Sequence, residues 1–134
     1  MAATPTFIAS RRSVSAAVTA ANTNVDGTSG TRADIVTGAT NGTLVESVQI
    51  KSIIAAASTV VADMVRLWKV NTGGTAFLVK EITIPAGAGA IGVANQEADS
   101  VVSLNLPLAL NEKLQASCHL ATNGYHVTAN CGDY

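Results

Sequence analysis

The sequence predicts an all-β protein, an antiparallel two-sheet sandwich of about eight short strands. Three observations predict it. Apolar and β-branched residues alternate with polar ones at period two in several short segments. Turn chemistry, including Asp26-Gly27, Asn41-Gly42, Gly73-Gly74 and Asn123-Gly124, separates those segments. No βαβ alternation and no long helical period runs through the chain.

The elements follow in order. Residues 6–20 carry short alternations in FIAS and VSAAVTA. Residues 21–43 are rich in Thr, Asn, Gly, Ser and Ala, which predicts a long extended loop broken by a short strand at Asp34–Thr37. In 44–52, Val48 and Ile50 alternate with Ser47, Gln49 and Lys51, a half-buried strand. The run VVADMVRLWKV also fits a helical face, but its β-branched valines and the following Thr72-Gly73-Gly74 favour a strand at 60–70. TAFLVKEITI then returns as the second arm of a hairpin. VVSLNLPL alternates, with Pro107 confined to an edge or a strand end. Leu114, Ala116, Cys118 and Leu120 share one face of the next strand, and Tyr125, Val127, Ala129 and Cys131 share one face of the last. With Asn123-Gly124 between them, these two read as a type I′ hairpin in which His119 faces Thr128 and Cys118 faces Ala129. The chain divides into residues 1–20, an N-terminal arm with the first strands, and residues 21–134, one sandwich domain.

At 134 residues the chain can bury roughly two thirds of its unfolded surface without staples. Hydrophobic residues make up 48% and charged residues 13%, which leaves little charged surface. The net charge of −1 offers no long-range field for nucleic acid or an anionic membrane. No run of 18 apolar residues is present, so no membrane helix is expected, and the N-terminus lacks the pattern of a secretory signal. A cytoplasmic site of synthesis follows as an expectation, with Cys118 and Cys131 as core thiols rather than a disulfide.

Enzyme chemistry finds little support. Gly87, Gly89 and Gly92 spell G-x-G-x-x-G after a strand, as in a dinucleotide-binding loop. Only VANQEADS separates Gly92 from the next strand, too short for the helix that would meet a pyrophosphate, and Glu112 lies in a turn-like LNEK. The glycines are expected as irregular backbone joining the two sheets. His119 and His126 lack the further ligands a metal site needs, and Glu97 with Asp99 read as solvated acids. No G-x-S-x-G and no paired carboxylates occur. No catalytic, cofactor-binding or metal-binding residue is expected. Trp68, with Met64 and Arg66 beside it, reads either as an interface anchor or as core.

One resemblance covers about residues 20–134. The ordered segments ANTNVDGT, NGTLVESVQIKS, DMVRLWKVN, FLVKEITIPA and LPLALNEKLQAS, with a terminal CGDY, resemble small proteins encoded among the head genes of tailed bacteriophages. The resemblance implies a capsid decoration, or cement, protein, with a jelly-roll sandwich, a homotrimeric assembly, the major capsid protein as partner and the virion surface as location. It implies no catalytic residues. The sequence departs from that pattern at PAGAGAIGVAN, at Trp68 and over the first twenty residues. The candidate interface residues are Phe7, Arg11 and Arg12 in the arm, Asn22, Asn24 and Asp26 in the loop, and Asp133 with Tyr134 at the end. The alternative is a carbohydrate- or receptor-binding sandwich of a head or tail fibre. A nucleotide-dependent enzyme is the third reading.

Overall fold

A computed structural model describes residues 8–53, 61–87, 99–120 and 124–134, with Asp99 and Ser100 described by backbone alone. The described residues form eight strands and no helix: β1 (Ser10–Val18), β2 (Ala33–Thr37), β3 (Thr43–Ser52), β4 (Asp63–Val70), β5 (Ala76–Ile84), β6 (Asp99–Leu108), β7 (Lys113–Cys118) and β8 (Tyr125–Asp133). They make two four-stranded sheets, ordered β1-β8-β3-β6 and β2-β7-β4-β5. All strand pairings are antiparallel.

The order has a simple origin. The chain pairs like one long hairpin: β4 with β5 at the tip, then β3 with β6, β2 with β7, and β1 with β8. Rolling that hairpin so that alternate pairs fall in opposite sheets gives the jelly roll. The tip is a tight turn in which the Asn71 and Thr75 backbones bond at 3.0 Å and Asn71 Oδ1 accepts the Thr75 N–H at 2.9 Å. The hairpin expected there is present.

The core lies between the sheets. Val45, Val48 and Ile50 of β3 and Tyr125, Val127, Ala129 and Cys131 of β8 face Val65 and Leu67 of β4, Leu114, Ala116 and Cys118 of β7, and Ile82 and Ile84 of β5. All are buried, and the period-two pattern places them inward, with the irregularity between Val45 and Ser47 resetting the alternation so that both Val45 and Val48 face the core. Three irregularities interrupt the ladders, at Asp34/Val36, Val45/Ser47 and Leu67/Trp68. The first lets Ile35 and Val36 both be buried.

One expectation changes. β7 and β8 are not a hairpin. β7 pairs with β2 and β4, whereas β8 pairs with β1 and β3, so the connection arches from one sheet to the other. Thr128 lies beside Ser15 and Gln49, not His119, and Cys118 lies beside Val65, not Ala129. Both strands alternate because each has one face on the shared core. Alternation does not say which sheet a strand joins. Within residues 1–20 the structure places one strand, β1, which pairs along its whole length with β8. Gly89 and Gly92 lie outside the described residues, but the segment that holds them does join β5 in one sheet to β6 in the other.

Candidate functional site

The outer faces of the two sheets differ. On β1-β8-β3-β6 the outward residues include Ser13, Ser15, Thr128, Asn130, Ser47 and Gln49, with Ser15 and Thr128 hydroxyls 2.7 Å apart. On β2-β7-β4-β5 the outward residues include Arg66, Trp68 and Val70, and the segment between β1 and β2 lies over them.

That segment builds itself from its own asparagines. After β1 the chain passes the end of β7, where the Asn22 N–H donates to the Cys118 carbonyl at 2.8 Å and Ala21 makes a parallel bridge. Asn22 is buried, donates to the Thr31 carbonyl at 3.1 Å and accepts the Asn24 N–H at 3.0 Å. Asn24 Oδ1 accepts the N–H groups of Asp26 and Gly27, and Asp26 Oδ1 accepts the Thr28 N–H and hydroxyl. The Thr28 contacts, then Asn24, hold the Asp26 carboxyl below the usual carboxylate range. Such side-chain-to-backbone bonds replace a sheet ladder in an irregular segment. Gly30, at φ 89°, passes so close to Asn22 that a Cβ there would fall on the Asn22 amide.

Beneath the loop, Trp68 is fully buried in a small cluster with Val70 and Ala76, separate from the main core. Its indole N–H donates to Ser117 Oγ at 2.9 Å. Arg32 covers the ring at 5.7 Å and donates to Gln115 Oε1 at 2.9 Å and to the Gly27 carbonyl at 3.2 Å. Arg66, also buried, donates to Glu81 Oε1 at 2.9 Å and reaches the Asn22 carbonyl and His119 Nδ1, each at 3.4 Å. Of the two readings of Trp68, the structure gives core: a second, one-sided core under a loop.

The candidate residues fall into two groups. Asn22, Asn24 and Asp26 come together in the loop, where their side chains are spent on its own backbone. Arg12, Asp133 and Tyr134 come together at the chain ends. Arg12 grips Asp133 through two nitrogens, at 3.0 and 3.2 Å, and donates to the Thr37 carbonyl. The Thr43 hydroxyl donates to Asp133 Oδ1 at 2.6 Å, and the Tyr134 N–H donates to the Gly42 carbonyl. The Thr43 hydroxyl, then Arg12, hold the Asp133 carboxyl low. Arg11 points outward, mostly exposed, and pairs with Glu46 at 3.2 Å. Phe7 lies outside the described residues.

Sequence reasoning did not single out Arg32, Gln115 and Asp63. Asp63 accepts from the Met64 and Leu120 N–H groups and from the Tyr125 hydroxyl, at 2.7, 3.0 and 2.8 Å. It ties β4 to the start of β8 across the sandwich. Nothing in a run of single acids distinguishes it; only the paired apolar strands around it bury it. Among the described residues no three His, Cys, Asp or Glu side chains converge as a metal site.

The described surface carries one apolar run. Phe77, Leu78 and Val79 stand exposed in succession on β5, an edge strand, at 55, 41 and 36% of their full accessibility. On β6, the edge of the other sheet, Val101 is 70% exposed. Because β1 lies against β2, the β5 and β6 edges fall at the same side of the sandwich. No model of a known protein family and no curated protein sequence matches the chain.

Proposed function

We propose that this chain is a virion structural protein that decorates and stabilises the outer surface of a tailed-phage capsid. It binds the major capsid protein, assembles as a homotrimer and has no catalytic role. The observation that carries the reading is the apolar run Phe77-Leu78-Val79 on the β5 edge, in a chain with only 13% charged residues. Successive exposed apolar side chains at one edge mark surface that is covered in an assembly. Plain strand addition is blocked there. The ladder is broken beside Val79, and Lys80, paired with Leu67, directs a charge toward the inter-sheet side. The edge therefore meets its neighbours through side chains. The ordered segments that resemble phage head proteins supply the identity of the neighbour.

The test mixes the purified chain with empty phage heads and follows head survival on heating. Binding with protection is the expected result, and Phe77→Asp with Leu78→Ser should abolish it and shift the chain to monomer in analytical ultracentrifugation. Heads neither bound nor protected would refute the reading.

A further inference from the structure

A concavity of about 400 Å³ opens at one end of the sandwich, between the β4–β5 turn, the β6–β7 turn and the start of β7. Arg32 forms one wall, with Asn71, Thr72 and Asn111 on the others. The Arg32 head group is fixed on three sides. Nε donates to Gln115, Nη1 donates to the Gly27 and Ser29 carbonyls, and the plane rests over Trp68. Among the described residues Nη2, with its two N–H groups, has no acceptor, and no carboxylate pairs with Arg32.

The neighbouring charges are already matched. Lys113 Nζ donates to Asp34 Oδ2 and Gln115 Nε2 donates to Asp34 Oδ1, each at 2.6 Å. That orientation turns the Gln115 carbonyl toward Arg32. The network closes on itself and leaves one cation over, rigidly held, facing the concavity. A guanidinium fixed in this way is prepared for an anionic oxygen, because little rotamer freedom remains to be lost.

We propose that this concavity binds a small carboxylate ligand the size of a monosaccharide, an acidic sugar, with the carboxylate on Arg32 Nη2. The volume lies within the range of small-molecule sites, roughly 300–1,000 Å³. A lone acidic side chain would leave most of it filled with water. The Asn71 and Asn111 amides and the Thr72 hydroxyl offer the donors and acceptors that ring hydroxyls need. This site is independent of the capsid reading, and either can fail without the other.

The experiment is a ¹⁵N NMR titration of the full chain with sodium glucuronate, glucose and sodium acetate at constant ionic strength. Glucuronate should saturate in the millimolar range and shift signals of Arg32, Asn71 and Asn111, with glucose and acetate both weaker. Arg32→Gln should weaken glucuronate at least about tenfold. Arg32 also anchors the loop, so a second variant is needed. Asn111 has φ 63°, a conformation glycine adopts freely, so Asn111→Gly removes the side-chain amide without straining the turn, and it should weaken glucuronate several-fold. Glucose or acetate binding as well as glucuronate, shifts elsewhere, unchanged affinity in both variants, or no saturation would each overturn the site. A polyglutamate peptide binding more tightly than glucuronate would overturn the sugar assignment.

Discussion

Arg12 and Asp133, at opposite ends of the sequence, form a two-point ion pair, Nε to Oδ2 at 3.0 Å and Nη2 to Oδ1 at 3.2 Å. The pair fastens the edge strand β1 to the last residue of β8, and Thr43 adds a third strand through its hydroxyl. Arg12 keeps 32% and Asp133 24% of side-chain accessibility, so the pair is worth less than a fully dry one. Asp133→Asn should lower stability by roughly 1–2 kcal/mol in urea unfolding at pH 7.

The same carboxylate sets an acid limit. Asp133 is lowered by Thr43 and then Arg12, and Asp34 by Lys113, so each binds a proton less readily folded than unfolded. Their contribution is complete above the unfolded value, roughly pH 4, and is lost as pH falls through the lower folded values. The urea midpoint should therefore hold from neutral pH to about pH 4 as far as these two groups are concerned, then fall. Asp133→Asn should flatten that fall. An unchanged acid slope in the variant would contradict the assignment.

Tyr125 and Asp63 test the cross-sheet tie. The Tyr125 hydroxyl donates to Asp63 Oδ2 at 2.8 Å, and both residues are buried. Tyr125→Phe keeps the ring in the core and removes the donor to a carboxylate that water does not easily replace. The loss should be about 1.5–3 kcal/mol, read from the unfolding midpoint at constant m-value.

Trp68 is the only tryptophan and is fully buried, so its fluorescence reports whether the loop covers this sheet face. The native protein should emit at short wavelength and resist acrylamide. Arg32→Ala removes the group that covers the ring and should raise quenching without unfolding the sheets. Trp68→Ala should cost about 3–5 kcal/mol, since the small cluster of Val70 and Ala76 cannot refill the space. Quenching that is already strong in the wild type would place Trp68 in contact with solvent and refute the covered face.

The strands were legible because alternation reports burial directly. Val48 and Ile50, Leu114 and Ala116, and Val127 and Ala129 are each inward, as their spacing predicts. Pairing was legible only where a short turn forces it, at Asn71–Thr75 between β4 and β5. Asn123-Gly124 carries the same kind of signal, yet there the chain changes sheets. Partners far apart in sequence, such as Arg12 with Asp133, leave no local pattern. The site was less legible still. Asn22, Asn24 and Asp26 read from the sequence as candidate interface residues, but their side chains bond the loop's own backbone. Arg32 is one arginine among polar turn residues, and its meaning depends on Trp68, 36 positions away, reaching the same outer face.

Cys118 and Cys131 give the last prediction. Both are free and buried, one in each sheet, with side chains directed into the shared core. Cys118 Sγ also lies 3.4 Å from the Ala20 carbonyl, beneath the start of the loop. Burial pushes the Cys118 thiol up to about 11 and raises Cys131 as well, so at pH 8 neither is appreciably thiolate. The thiolate is the species that attacks a disulfide reagent. Native protein should therefore react with Ellman's reagent far more slowly than a free thiol, and both groups should react at once in guanidinium. Labelling should also track stability, so Asp133→Asn and Tyr125→Phe should speed it wherever exposure requires global opening. A fast native reaction at one cysteine, unchanged by either variant, would show a thiol already at the surface and would contradict the placement of that strand.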